Sequence, residues 1–206
     1  MKIKICGITN INDALLCEKL GADALGFIFY PKSKRFIEPS AAKEIIRKLS
    51  PFTMKIGVFV NELADTINEI GSDIKLNAIQ LHGDESPDTV RKIVLPVIKS
   101  FRVGTNFNYS IINQYNNVSY LFDSYSPIEF GGTGKKFDWE EIPLELRNKI
   151  ILSGGIKSAN LEYIYQNIKP AAIDLSSSVE SIPGRKDEKK LKEFFNLVDH
   201  FRKEID

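Results

Sequence analysis

Cys6 ends the alternating stretch Lys2-Ile3-Lys4-Ile5-Cys6 and is followed at once by Gly7. A thiol acts as a base only as the thiolate, so Cys6 in that role calls for positive charge or a dipole nearby to lower its pKa. Asp123 ends another apolar stretch, Val118-Ser119-Tyr120-Leu121-Phe122-Asp123. A carboxyl that gives up a proton near neutral pH needs the reverse, burial or a neighbouring anion. Cys6 and Asp123 are thus a candidate base and acid. His82 and Asp174 stand at or near the ends of two more apolar stretches, and Arg35 lies in the basic loop Tyr30-Pro31-Lys32-Ser33-Lys34-Arg35-Phe36-Ile37. Small polar turns recur: Gly131-Gly132-Thr133-Gly134, Ser153-Gly154-Gly155 and Ser176-Ser177-Ser178. Turns of this kind expose backbone N–H groups as nests for anions. One alone is an ordinary turn; three in succession point to a bound phosphate, with residues 177–181 offering a short helix N-terminus.

Each residue also has a plainer role open to it. A free cysteine is more often a small buried hydrophobe. Arg35 would by default be a solvated loop charge and His82 a hydrogen-bonded rim residue. Lys4, on the same strand face as Cys6, would satisfy a buried polar layer. The elements that carry these residues decide between the readings.

The first strand covers residues 2–6, and a helix over 10–20 follows, with Ala14, Cys17 and Leu20 on one side and Gly21 as its stop. Cys17 reads as a core residue. Residues 22–29 form a continuous apolar run, the pattern of a strand covered on both faces. Pro39 opens a helix to about residue 49. Strands over 54–60, 77–82, 95–101, 118–123, 149–153 and 171–175 follow. Between them lie helices over 63–70, from Ser86-Pro87, weakly over 104–116, from Asp138-Trp139, and over 158–168 with Ser158 as cap. Asp187 caps a last helix with the stripe Leu191, Phe194, Phe195, Val198 and Phe201. Eight strands alternate with helices at spacings of roughly 20–25 residues, which implies parallel pairing with right-handed crossovers. The fold class is α/β, a single (βα)8 TIM barrel of eight parallel strands over residues 1–206. An open doubly wound sheet is the alternative, but no dinucleotide fingerprint follows the first strand. The Gly134-Lys135 pair is not a phosphate loop of the Walker type, because Glu129 stands where its first glycine belongs. In a barrel the carboxyl ends of the strands share one face. That face collects Cys6, Arg35, His82, Asp123, Asp174 and the small polar turns.

Composition narrows the function classes. The 206-residue chain carries a net charge of +1, which gives no reason to expect nucleic acid or an anionic membrane as partner. No apolar run approaches the length of a membrane span, and the N-terminus leads directly into a strand, so the expected location is cytoplasmic. Two cysteines and two histidines make neither a disulfide framework nor a metal-ligand spacing. No transition-metal site is expected from these counts.

With these residues placed, the chain resembles the phosphoribosylanthranilate isomerases of tryptophan biosynthesis. The resemblance rests on Lys4-Ile5-Cys6-Gly7-Ile8-Thr9, on residues 26–37, on Gln80-Leu81-His82-Gly83, and on Asp123 with Gly131-Gly132-Thr133-Gly134 and Phe137-Asp138-Trp139. It continues through Leu152-Ser153-Gly154-Gly155-Ile156, residues 174–181, Pro183-Gly184 and Lys186-Asp187. It implies an aldose–ketose isomerase that carries out an Amadori rearrangement of N-(5-phosphoribosyl)anthranilate to 1-(2-carboxyphenylamino)-1-deoxyribulose 5-phosphate. By the same resemblance Asp123 is the acid and Cys6 the base. Arg35 holds the anthranilate carboxylate, Asp174 binds sugar hydroxyls and His82 lines the pocket. Phosphate meets backbone groups of Gly132, Gly134, Gly155, Ser177 and Ser178. The resemblance implies no cofactor. The partner is this small molecule, and the assembly is a monomer or a homodimer. The chain departs from the family pattern with Ser178 in place of glycine and Lys34 in place of proline.

Two other readings stand beside this one. The same barrel could serve another sugar-phosphate isomerase or epimerase. It could also bind a phosphorylated metabolite without catalysis, which would predict loss of the acid–base pair.

Overall fold

The computed structural model describes residues 1–124 and 137–203. Eight strands, β1 (Lys2–Cys6), β2 (Ala24–Ile28), β3 (Met54–Phe59), β4 (Ala78–Leu81), β5 (Val97–Val103), β6 (Val118–Ser124), β7 (Ile150–Leu152) and β8 (Ala172–Leu175), pair in sequence order, all parallel. β1 also pairs with β8 and closes the barrel. Its register sets Lys4 opposite both Ala24 and Asp174, and Cys6 opposite Gly26.

Strand alternation divides the apolar residues into two cores. Ala24, Ile56, Ala78, Ile98 and Leu121, with Ile151 packed on them, fill the barrel interior. The other strand face, including Ile3, Ile5, Leu25, Phe27, Phe59, Ile79 and Phe122, packs against the surrounding helices. Because both faces are covered, the strands read as unbroken apolar runs. Two residues further along the strands that carry Ile56, Ala78 and Leu121, on the same inner faces, stand Val58, Gln80 and Asp123. The plug inside the barrel is therefore the floor of whatever lies at its carboxyl end.

The helices obey their local signals. α1 (Ile11–Lys19) is capped by Asn10, whose side chain accepts from the Asp13 N–H at 2.9 Å. α2 (Pro39–Ile46) begins at proline, and α4 (Pro87–Arg91) begins at proline under a Ser86 cap. Asp187 accepts from Lys190 N–H at 3.1 Å to start α7 (Glu188–Lys203). Leu191, Phe194, Phe195, Val198 and Phe201 of α7 are all buried, at roughly 1.5–3 kcal/mol each for full burial.

Elements depart from expectation where a side chain or glycine outweighs the pattern. β5 starts and ends later than expected, because Pro96 lacks an N–H for the ladder while Arg102 and Val103 continue pairing with β6. α3 (Ala64–Asp73) runs on through Gly71, whose missing Cβ would lie 3.1 Å from Leu95; the glycine serves close packing, not termination. Residues 104–116 hold only a 3₁₀ helix, Tyr109–Gln114, and Asp138 caps another, Trp139–Glu141. The short α5 (Leu144–Arg147) lies just beyond it.

Ser158 is not a cap. Lys157 holds the cap position because Asn160 accepts from its N–H at 2.8 Å. The chain then forms a 3₁₀ turn, a single α turn α6 (Leu161–Tyr163) and a π turn, Ile164–Ile168. A two-stranded hairpin, β9 (Glu180–Ile182) and β10 (Arg185–Lys186), was not expected between β8 and α7. Its signal is Pro183-Gly184, a turn dipeptide.

Candidate active site

Cys6, Arg35, His82, Asp123, Gly155, Asp174, Ser177 and Ser178 all line one cavity of about 380 Å³ at the carboxyl ends of the strands. Gly132 and Gly134 lie outside the described residues. Every other residue singled out for chemistry converges on this cavity.

The Cys6 side of the cavity is built on β1 and β2. Gly26 faces Cys6 across the strand pair, and a Cβ there would stand 2.7 Å from Sγ and 3.2 Å from Lys4 Cε. A glycine at this register position makes room for the thiol and the lysine on one inner face. Lys4 Nζ donates to Asp174 Oδ2 at 2.7 Å, with both residues buried. Burial lowers the pKa of the Lys4 ammonium, but Asp174, and after it Cys6, outweigh this and raise it above the ordinary lysine value. Cys6 departs from expectation: burial pushes the thiol up, and the pull of Lys4, opposed by Asp174 and helped by Lys186, does not reverse it. The resting thiol is protonated because the cavity floor that shapes the site also strips it of water.

Asp123, on the β6 side, is buried. Its Oδ1 accepts from the Ser124 N–H at 2.8 Å, and its Oδ2 lies 3.4 Å from His82 Nε2. Gly154 stands just after β7 with φ +79°. A Cβ on it would lie 2.8 Å from Asp123 Oδ1 and 2.7 Å from Ser124 N, so only glycine lets this turn close over the carboxylate. Gln80, two residues before His82, places its amide nitrogen 2.8 Å from His82 Nδ1. With the amide donating, Nδ1 accepts, and the neutral ring carries its proton on Nε2, facing Asp123.

One side of the cavity rim is polar. Ser177–Val179 forms a 3₁₀ turn after β8, and Ser177, Ser178, Gly155 and Lys157 face the cavity together. Ile28, Tyr30, Val58 and Val60 form an apolar wall. Arg35 is not a solvated loop charge. Its guanidinium is held along one edge by Glu180, with Nε 3.0 Å and Nη2 2.7 Å from the carboxylate. Gln80, Glu180, Lys186 and the apolar wall were not singled out for a role from the sequence. The signal for Glu180 and Lys186 is a charge at each end of a seven-residue turn segment, and that pattern is commonplace. Among the described residues, no cluster of three or more His, Cys, Asp or Glu side chains is arranged to hold a metal ion.

The family model described as N-(5'-phosphoribosyl)anthranilate (PRA) isomerase matches residues 3–197. The N-(5'-phosphoribosyl)anthranilate isomerase of Trichlorobacter lovleyi is 45% identical over 196 residues, covering 94% of this chain and 96% of that one. The chain belongs to the phosphoribosylanthranilate isomerase family. Among solved structures, the phosphoribosylanthranilate isomerase of Thermus thermophilus superposes with a TM-score of 0.90 at 36% identity, covering 98% of this chain and all of the other. A second, a phosphoribosylanthranilate isomerase in complex with reduced 1-(o-carboxyphenylamino)-1-deoxyribulose 5-phosphate, gives a TM-score of 0.86 at 38% identity, covering 97% and 99%. Members of the family are isomerases of tryptophan biosynthesis, and this chain is such an isomerase with the family's TIM barrel. No helix among the described residues is long and apolar enough to cross a membrane.

Proposed function

We propose that this isomerase converts N-(5-phosphoribosyl)anthranilate to 1-(2-carboxyphenylamino)-1-deoxyribulose 5-phosphate by an Amadori rearrangement, with Asp123 as acid and Cys6 as base. The observation that carries the reading is the sharing of one cavity by a thiol at the end of β1 and a carboxyl at the end of β6. Small polar residues, Gly155, Ser177 and Ser178, line the cavity together with the apolar Ile28, Val58 and Val60 and with Arg35. A relative of the same fold holds the reduced product.

Asp123 gives its proton to the furanose ring oxygen. The C1′–O bond breaks, and the anthranilate nitrogen lone pair forms the C1′=N bond of a cationic Schiff base. The Cys6 thiolate then removes the C2′ proton. The electrons of that C–H bond become the C1′=C2′ double bond, and the C=N pair returns to nitrogen. Tautomerisation puts a solvent proton on C1′ and returns the C2′ hydroxyl proton to Asp123, which leaves Cys6 as the thiol it was at rest, its new proton free to exchange with solvent. The thiol is protonated at rest, and ring opening places a cation beside it, so it gives its proton to solvent before it acts as base. Together with Lys4 and Lys186 that cation favours the thiolate when the base is needed.

The rest of the cavity binds and orients. Phosphate meets the backbone N–H groups of Gly132, Gly134, Gly155, Ser177 and Ser178. Ser178 serves through its N–H, as a glycine would. Arg35 takes the anthranilate carboxylate. Asp174 takes sugar hydroxyls through Oδ1, which has no hydrogen-bond partner among the described residues, and His82 lines the pocket. Holding the substrate at two anchors converts acid–base chemistry into an intramolecular event.

The test is turnover of freshly generated phosphoribosylanthranilate, followed by loss of its anthranilate-type fluorescence with EDTA present. Wild type should turn over; Cys6→Ala and Asp123→Asn should not, while both still bind inorganic phosphate. Normal turnover in either variant would sink that residue's role.

A further inference from the structure

Arg35 and Cys6 are joined by a buried chain of charges. Glu180 accepts from Arg35 Nε and Nη2, and its Oε1 also accepts from Lys186 Nζ at 2.9 Å and from the Gly184 N–H at 3.3 Å. Lys186 Nζ in turn donates to the Cys6 backbone carbonyl at 2.6 Å. Glu180 and Lys186 are 5% and 7% exposed. The chain closes through packing as well, since a Cβ on Gly7, the residue after Cys6, would meet Arg35 Cδ at 2.6 Å.

The charges and donors of this cluster point one way. Two cations, Arg35 and Lys186, share the one carboxylate of Glu180, and of these three residues only Arg35 lines the cavity. A guanidinium has two edges that can each grip a carboxylate, Nε–Nη2 and Nη1–Nη2. Glu180 occupies the Nε–Nη2 edge and, among the described residues, leaves the Nη1–Nη2 edge for another carboxylate. Burial works to raise Glu180, but the Arg35 hydrogen bonds and Lys186 outweigh it and hold the carboxyl below the usual range.

We propose that Glu180 is a positioning residue for this reaction: it fixes the guanidinium of Arg35 in the orientation that receives an aromatic carboxylate, and through Lys186 it ties that anchor to the backbone of Cys6. This rests on the proposed roles of Arg35 as carboxylate anchor and Cys6 as base. Substrate carboxylate and base are thereby tied to each other through the β9–β10 hairpin, which holds Arg35 by Glu180 and the end of β1 by Lys186. A ligand gripped by Arg35 meets the thiol at a fixed distance.

Calorimetric titration tests the proposal without turnover. The probes are the reduced product, 1-(o-carboxyphenylamino)-1-deoxyribulose 5-phosphate in its reduced form, and inorganic phosphate. The proteins are wild type, Glu180→Gln, Arg35→Ala and the double variant. Glu180→Gln should weaken the reduced product about tenfold, the scale of one charged hydrogen bond, and leave phosphate within about twofold. The double variant should bind no more than about twofold weaker than Arg35→Ala alone, because Glu180 acts through Arg35. Lys186→Met should lower kcat more than it raises KM. Unchanged affinity in Glu180→Gln, equal weakening toward both probes, or a double variant that multiplies the two single effects would each overturn the proposal. Failure of the isomerase reading looks different: wild type would then bind phosphate but not the reduced product.

Discussion

Replacing Lys4 with methionine isolates the buried ion pair under the reacting thiol. Lys4 Nζ and Asp174 Oδ2 are 2.7 Å apart, at 2% and 7% side-chain exposure. At an effective dielectric of about 20, unit charges at that separation attract by about 6 kcal/mol. Part of that offsets the water both ions lost on folding. Removing only the cation leaves Asp174 buried and unpaired, which costs about 3–5 kcal/mol, a large share of a total stability of about 5–15 kcal/mol. Urea unfolding at neutral pH measures it.

The pH dependence has a definite sign. In wild type the Lys4 pKa is raised above its unfolded value, so its contribution is complete below about pH 10 and is lost as pH rises through the folded value. In Lys4→Met the stranded Asp174 carboxyl is raised above about 3.9. The deficit is then full above its folded pKa and shrinks as pH falls through it. A second variant separates the charge effect from the packing effect: Lys4→Met with Asp174→Leu should recover most of the loss, because no ion is left unpaired. A cost under about 1 kcal/mol in the single variant, or a double variant no more stable than the single, would refute the reasoning.

Thiol chemistry supplies another expected outcome. Burial raises both thiols, Cys17 to about 12, so iodoacetamide should label the native protein slowly at neutral pH. Cys6, which lines the cavity, should label first as pH rises, and Cys17 only on unfolding; rapid labelling of Cys17 in the native state at neutral pH would contradict this, as read by peptide mass. Gly154→Ala adds a Cβ within 2.8 Å of Asp123 Oδ1 at a positive φ. It should lower kcat by about 10²-fold, as a misplacement near 1 Å does, with inorganic phosphate affinity moved far less, and kcat close to wild type would count against the placement of Asp123.

The sequence showed the barrel because parallel strands covered on both faces leave continuous apolar runs, and each run ends where chemistry can sit. Cys6, His82 and Asp123 could be placed at strand ends for that reason. Helices with a cap and an apolar stripe, such as α1 and α7, were legible as well. Less legible was anything set by contact across the fold. Arg35 and Glu180 are 145 residues apart, and no local pattern marks them as partners. The thiol of Cys6 was expected low on the strength of its role; its burial, a product of the packed floor beneath it, moves it the other way. The segment after β7 reads from sequence as one helix because its apolar stripe is continuous; the Asn160 contact with the Lys157 N–H that starts it as a 3₁₀ turn, and the π turn over Ile164–Ile168, leave no mark in that stripe.

The central claim is that Cys6 removes the C2′ proton, and substrate carrying deuterium at C2′ tests it most directly. Wild type should open the ring, release the label to solvent and form product, with a slower chemical step than unlabelled substrate shows in transient kinetics. Cys6→Ala, checked to be folded by its phosphate binding, should neither release the label nor form product. Release at the wild-type rate from Cys6→Ala would contradict the assignment of the base.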